Sequence, residues 1–265
     1  MAYLSPSRPR VFGHRGAAAL APENTLPSFA VAAHLGAGYL ELDVHGTADG
    51  TIVVLHDETV DRTTEATGPV RAMRWSEVER LDAGFRFQVG GGMPIYRGQG
   101  VRIPTLEAVL KAFPDHYFNI EIKQEKPAIV DETVAILRNA GVATRTLLAA
   151  ESGSIMGEIR EAVGDEIVTG SSTDDVLEFY GHLVAGTLDG YRPPGVALQI
   201  PPQVGGRILV ERQSIEAAHG VGLEVHVWTI NDATEIERLL ALGVDGVMSD
   251  APGLVAQAVR ESTSR

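Results

Sequence analysis

The sequence predicts an α/β protein of the (β/α)8 (TIM) barrel class, and three observations predict it. Short β-branched or aromatic runs alternate with longer helix-period segments, the mark of repeated βα units. The strand-like runs number eight, and 265 residues is an ordinary length for one such barrel. The residues able to do chemistry recur at the C-terminal ends of those runs, where barrel enzymes carry their sites.

The strands are expected at Arg10–Gly13, Tyr39–His45, Tyr117–Lys123, Arg145–Ala150, Glu166–Ser171, Val196–Ile200, Glu224–Ile230 and Gly246–Ser249. Helical segments include Asn24–Leu35, Ala128–Asn139, Asp174–Ala185, Arg212–Ala218 and Ala233–Leu242. Gly36, Gly141 and Gly243 stand where helices stop, since glycine accepts the left-handed conformation past the last turn. A doubly wound open sheet is the competing arrangement. Between His56 and Pro104 the rhythm fails, and the stretch includes the glycine-rich GFRFQVGGGMPIYRGQG. Residues 58–103 are too many for a βα connection. They are expected as an insertion capping the C-terminal face of a single barrel domain, residues 1–265.

Composition narrows the function. A net charge of −13 opposes a polyanion, so nucleic acid is not an expected partner. An acidic chain that binds a small phosphorylated molecule needs local cations or a metal to reverse the field. The chain has no cysteine, which removes disulfides, thiolate zinc sites and cysteine nucleophiles. MAYLSPSRPR lacks the apolar core of a signal peptide, and no apolar run spans a bilayer; a cytoplasmic location without stable membrane insertion is expected. Oligomeric state is not legible.

In YLELDVH, Glu41 and Asp43 are two apart and share one side of a strand. Carboxylates facing into a barrel need a positive partner, and one divalent ion with hard oxygen ligands (magnesium, calcium or manganese) supplies it. An isolated pair of this kind more often faces solvent. In NIEIK, Glu121 and Lys123 repeat the spacing, adding a third carboxylate and a cation for a substrate anion. His14 and Arg15 follow the first strand between Gly13 and Gly16; arginine suits phosphate through its fork. His56 closes TIVVLHD, and histidine suits proton transfer near neutral pH. His34, His116, His182 and His219 are assigned structural roles, as is His226. Trp228, ending the seventh strand, is either core or pocket lining.

The run from HRGAAALAPENTLPSFA through YLELDVH to LHDETVDRTT, with IPTLEAVL, EIK, VWTIN and GVMSDAP, resembles the glycerophosphodiester phosphodiesterase family over nearly the whole chain. The resemblance implies a (β/α)8 barrel with a small insertion after the HD motif, acting on a small-molecule glycerophosphodiester. It implies Glu41, Asp43 and Glu121 as metal ligands and His14 and His56 as an acid/base pair. Arg15 and Lys123 match phosphate-contacting positions. Asn24 and Trp228 match positions around substrate and metal, while Glu23 is expected to cap the helix beginning at Asn24. Ser249 replaces a more usual threonine, and His45–Gly46 is a further mild departure. A lysophospholipase-D-like enzyme, a silent phosphodiester-binding barrel and an unrelated metal barrel are the alternatives.

Overall fold

A computed structural model describes residues 2–263. Eight parallel strands form the barrel: β1 (Arg10–Gly13), β2 (Tyr39–Gly46), β4 (Tyr117–Ile122), β5 (Thr146–Ala149), β6 (Val168–Thr169), β7 (Ala197–Ile200), β10 (Glu224–Val227) and β11 (Gly246–Ser249). Their order is β6-β5-β4-β2-β1-β11-β10-β7. A parallel bridge between Gly170 and Ala197 brings the two ends together, which excludes the open doubly wound sheet. β3 (Ile52–Val54) lies outside the ring, antiparallel to β2.

Helices α1 (Leu26–His34), α3 (Leu106–Ala112), α4 (Val130–Asn139), α5 (Gly153–Val163), α6 (Thr173–Ala185), α7 (Arg212–Gly220), α8 (Ala233–Leu242) and α9 (Pro252–Thr263) follow the barrel strands. Two apolar layers between strands and helices hold the halves, one around Leu40, Ile120 and Leu137, the other around Leu198, Val225 and Leu239. Inside the ring, Phe12, Tyr39, Leu147, Ala197 and Met248 pack with Tyr3, which a short turn at Ala2–Leu4 inserts from the N-terminal end. Below them Arg10 gives two hydrogen bonds to Glu224, at 2.8 and 2.6 Å.

Several element bounds differ from the sequence reading. Asn24 is not helical: its φ is +56°, and α1 starts at Leu26 with Thr25 accepting from the Ser28 amide. Glu23 therefore caps nothing. β6 shrinks to two residues, because at the seam where the ring closes only one bridge holds it on the β7 side. β10 stops at Val227. No helix among the described residues is long and apolar enough to cross a membrane.

The excursion after β3, with α2 (Trp75–Val78), has a core of its own. Val53 and Leu55 at its stem pack with Val60, Val70, Val78 and Ile103. Asp82 organises the glycine-rich part, accepting from the amides of Gly84 and Gly98 at 2.9 and 2.6 Å. Between β7 and α7 a second, short excursion forms a hairpin of β8 (Gln203–Val204) and β9 (Arg207–Ile208). Gly205 and Gly206, at φ +57° and +80°, make a two-residue turn whose positive φ values glycine adopts without strain.

Candidate active site

β2 and β4 are neighbours, and their register sets Asp43 opposite Glu121. Period-two alternation then turns Glu41, Asp43, Glu121 and Lys123 to the inside of the ring near its C-terminal mouth. Carboxylate oxygens of Glu41, Asp43 and Glu121 lie within 4.8 Å of one another. Lys123 Nζ is 2.7 Å from Glu121 and 3.4 Å from Asp43.

The β1 turn brings cations to the same place. A side chain at Gly13 would meet the Gly16 carbonyl at 2.5 Å, and one at Gly16 the Ser28 hydroxyl at 2.4 Å. The turn is thus closed against bulk, and the strain falls on Arg15, at φ +49°. Arg15 and Asn24 are the non-glycine residues with positive φ among those described, and strain of this kind collects at functional sites. They are tied together by Asn24 N–H donating to the Arg15 carbonyl at 2.9 Å. The Arg15 amide donates to Glu41 at 2.7 Å, and its Nε lies 3.4 Å from Asp43. Asn24 does not line the cavity. It is buried and donates to the Asp43 carboxylate at 2.9 Å, which fixes the orientation of that carboxylate.

Each histidine is held by an aspartate. His14 Nδ1 is 2.7 Å from Asp250, whose other oxygen accepts from Asn231 at 2.6 Å. His56 Nδ1 is 2.7 Å from Asp57. Arg62 clamps Asp57 and, through Nη1 and Nη2, Glu23 at 2.6 and 2.7 Å, and Glu23 accepts from Arg15 at 3.0 Å. Burial works to lower the pKa of His14, but the Asp250 hydrogen bond and the charge of Glu41 outweigh it and raise it. Asp57 is drawn down to about 2, chiefly by its hydrogen bonds from Arg62.

The acidic cluster is electrostatically uneven. Burial and the charge of Asp43 push Glu41 up to about 7. Burial also raises Glu121, against the pull of Lys123. Asp43 stays low despite its burial, because Lys123 and Arg15 hold it ionised. Three hard oxygen donors with charge left over are what a divalent cation accepts, so the residues fit such an ion.

One cavity of about 870 Å³ takes His14, Arg15, Glu41, Asp43, His56, Glu121, Lys123 and Trp228 into its lining. No residue of 58–103 lines it; its far wall comes from α6 and the β8–β9 hairpin. His34, His116, His182 and His219 lie outside the lining, and His226 is fully buried, 3.0 Å from Glu224. Sequence reasoning missed Asp250, Asp57, Asn231 and Arg62 as partners of the site. Asp250 directly follows β11 within GVMSDAP and Asp57 follows His56, so strand-end position was the available signal for both; Arg62 and Asn231 had none beyond charge and polarity.

Residues 14–254 match the model of the glycerophosphoryl diester phosphodiesterase family. A glycerophosphodiester phosphodiesterase of Caldanaerobacter subterraneus subsp. tengcongensis is 30% identical, the match covering 95% of this chain and 98% of that one. Among solved structures, the enzyme of that name from Agrobacterium tumefaciens superposes with a TM-score of 0.76 at 29% identity, over 94% of this chain and 99% of the other. A phosphodiesterase of Oleispira antarctica, solved with the product sn-glycerol-3-phosphate, gives a TM-score of 0.73 at 25% identity over 95% and 97% of the chains. With the fold, the cavity and these relatives in agreement, the chain is a hydrolase and belongs to the glycerophosphoryl diester phosphodiesterase family.

Proposed function

We propose that this enzyme hydrolyses glycerophosphodiesters to glycerol 3-phosphate and an alcohol in a reaction that depends on a divalent metal ion. One observation carries the reading: two aspartate-held histidines and two cations converge with three carboxylates on a single cavity. Glu41, Asp43 and Glu121 are the ligands we assign to magnesium, calcium or manganese. When bound, such an ion stabilises charge on the phosphoryl oxygens.

Arg15 and Lys123 are then freed from part of their pairing with the carboxylates and attract the anionic diester. Asn24 keeps the Asp43 carboxylate aimed, and the Arg15 amide does the same for Glu41. The charge of His14 acts on Glu41, that of His56 on Asp43 and Glu121. The two imidazoles come from the segments after different strands, β1 and β3, and line one cavity, which suits one to take a proton from the attacking oxygen and the other to give one to the leaving alkoxide. Such transfers are worth roughly 10²–10⁴-fold. The attacking oxygen is that of water or of the neighbouring glycerol hydroxyl, the latter through a cyclic phosphate. The product bound to the Oleispira relative supports glycerol 3-phosphate as the product here. Arg62, from the excursion 58–103, clamps Asp57 and Glu23 and so helps to hold His56 through Asp57.

The test is an assay with glycerophosphocholine, glycerophosphoethanolamine and glycerophosphoglycerol, each with magnesium, calcium or manganese, following glycerol 3-phosphate. Turnover that vanishes in EDTA and returns with one of these ions is expected. Full activity after exhaustive chelation removes the metal from the mechanism.

A further inference from the structure

The glycine-rich part of the excursion after β3 differs in charge from the rest of the chain. Acids outnumber lysine and arginine 35 to 22 overall, yet residues 83–104 carry Arg86, Arg97 and Arg102 and no acid. The acid just before them, Asp82, is buried with both oxygens on backbone amides. All three arginines are exposed, and each is anchored on a backbone carbonyl rather than a carboxylate. Arg86 donates to Thr64 at 2.9 Å, Arg97 to Phe85 at 2.8 Å and Arg102 to Leu81 at 3.4 Å. Their charge stays available to an outside partner, and none of them lines the catalytic cavity.

Between Arg86 and Arg97 runs FQVGGGMPIY, which has no charged residue. Its base is pinned: the Phe87 and Tyr96 rings meet edge to face at 5.5 Å, and Arg97 lies over the Phe85 ring at 4.2 Å. Its tip is uncovered. Val89, Met93 and Ile95 are 46%, 82% and 63% exposed, and clustered exposed apolar side chains mark a protein or membrane contact. The Gly92 amide donates to the Val89 carbonyl at 3.0 Å and the Ile95 amide to that of Met93 at 2.9 Å, which gives the tip a shape of its own.

We infer that this tip docks the enzyme reversibly on the surface of an anionic lipid bilayer, without crossing it. Two features select a bilayer as the partner. The first is charge complementarity: an apolar tip inside a collar of arginines gains from buried apolar area and from attraction to anionic headgroups together. The second is shape. A protein partner needs a complementary surface of about 1,000 Å², whereas three side chains around consecutive glycines protrude singly and need only a soft medium. The net charge of −13 does not oppose this, because charges farther than roughly 8 Å from the headgroups are screened at physiological salt. Docking of this kind is independent of what the cavity hydrolyses, so it stands or falls apart from the phosphodiesterase reading.

The test sediments the whole enzyme, in EDTA, with vesicles of phosphatidylcholine alone or mixed with phosphatidylglycerol. Binding to the mixed vesicles should be at least about tenfold stronger and should weaken at high salt. Arg86→Gln should lose about fivefold of that preference, the effect of one cation near an anionic surface. Met93→Asp should lose about ten- to a hundredfold of the binding, as removal of one inserted apolar side chain does. Met93 is 82% exposed and outside the cavity, so circular dichroism and turnover of a soluble diester should not change in that variant. Leu177→Asp, exposed on α6, should bind vesicles as wild type does. Equal binding to both kinds of vesicle, or full binding by Met93→Asp, overturns the inference. Release by Leu177→Asp alone also overturns it, since docking would then lie at α6. If light scattering finds a dimer that Met93→Asp dissociates, with no vesicle binding, the tip belongs to self-association and the inference falls. Absence of diester turnover would overturn the catalytic reading and leave this one standing.

Discussion

The two ends of the barrel treat buried charge in opposite ways. At the N-terminal end Arg10 is fully buried, yet it donates to both oxygens of Glu224, to the Tyr39 hydroxyl and to the carbonyls of Leu4 and Pro6. His226 takes another contact to Glu224, which stays ionised with its pKa drawn down to about 2. Each of these groups thus has its partner within the protein. At the C-terminal end three carboxylates share two cations, Glu41 is pushed up to about 7, and the cluster opens on a cavity. The same architecture thus satisfies charge at one end, where it stabilises, and leaves it unsatisfied at the other, where it can act.

The largest effect expected from breaking this contrast is kinetic. His14→Ala and His56→Ala should each lower kcat by roughly 10²–10⁴-fold with unchanged circular dichroism and Tm, because both side chains face the cavity. Near-normal rates in both would remove the acid/base assignment. Arg10→Met should do the reverse, leaving the rate per folded molecule intact while costing about 3–5 kcal/mol of stability in urea unfolding, as a buried pair broken on one side does. The ordinary carboxylate value for Glu224 is 4.5 and its folded value about 2. Its contribution is therefore present above pH 4.5 and lost as pH falls toward 2; a flat acid unfolding profile relative to Arg10→Met would contradict this.

A smaller effect, of the opposite sign, is expected at the C-terminal end. Glu41→Gln removes one of three mutually repelling carboxylates, so the metal-free protein should gain a few degrees in Tm while losing metal-dependent turnover. Wild type should in turn gain Tm on adding the divalent ion, through ligand linkage, and the variant should gain less. A variant less stable than wild type in EDTA would mean that the cluster is not frustrated.

Legibility in the sequence followed the same division. Period-two spacing in YLELDVH and NIEIK was enough to put four charged side chains on one face, since alternation is local geometry, and the eight strand positions were readable for the same reason. Asn24 was not: nothing local says that ENT breaks into a left-handed residue before its helix, because that strain is maintained by the Arg15 carbonyl from another turn. The clamp of Arg62 on Asp57 and Glu23 spans 39 residues and leaves no spacing to read. The helix α6 was readable as the segment Asp174–Ala185, but periodicity alone does not separate a face packed on the core from one turned to a cavity.

The finest test concerns the two aspartates that hold the histidines. Asp250 raises the pKa of His14 against the effect of burial, so Asp250→Asn should lower it, and the rate should fall less than in His14→Ala because the imidazole remains. The pH profile then assigns the role. If His14 gives up a proton in the reaction, it must start protonated, and the alkaline limb of kcat/KM should move to lower pH in the variant. If it accepts one, it must start neutral, and the acid limb should move to lower pH. Neither limb moving would mean that His14 does not set the pH dependence, and the proton transfers would then have to be sought at His56, where Asp57 and Arg62 provide a second held imidazole.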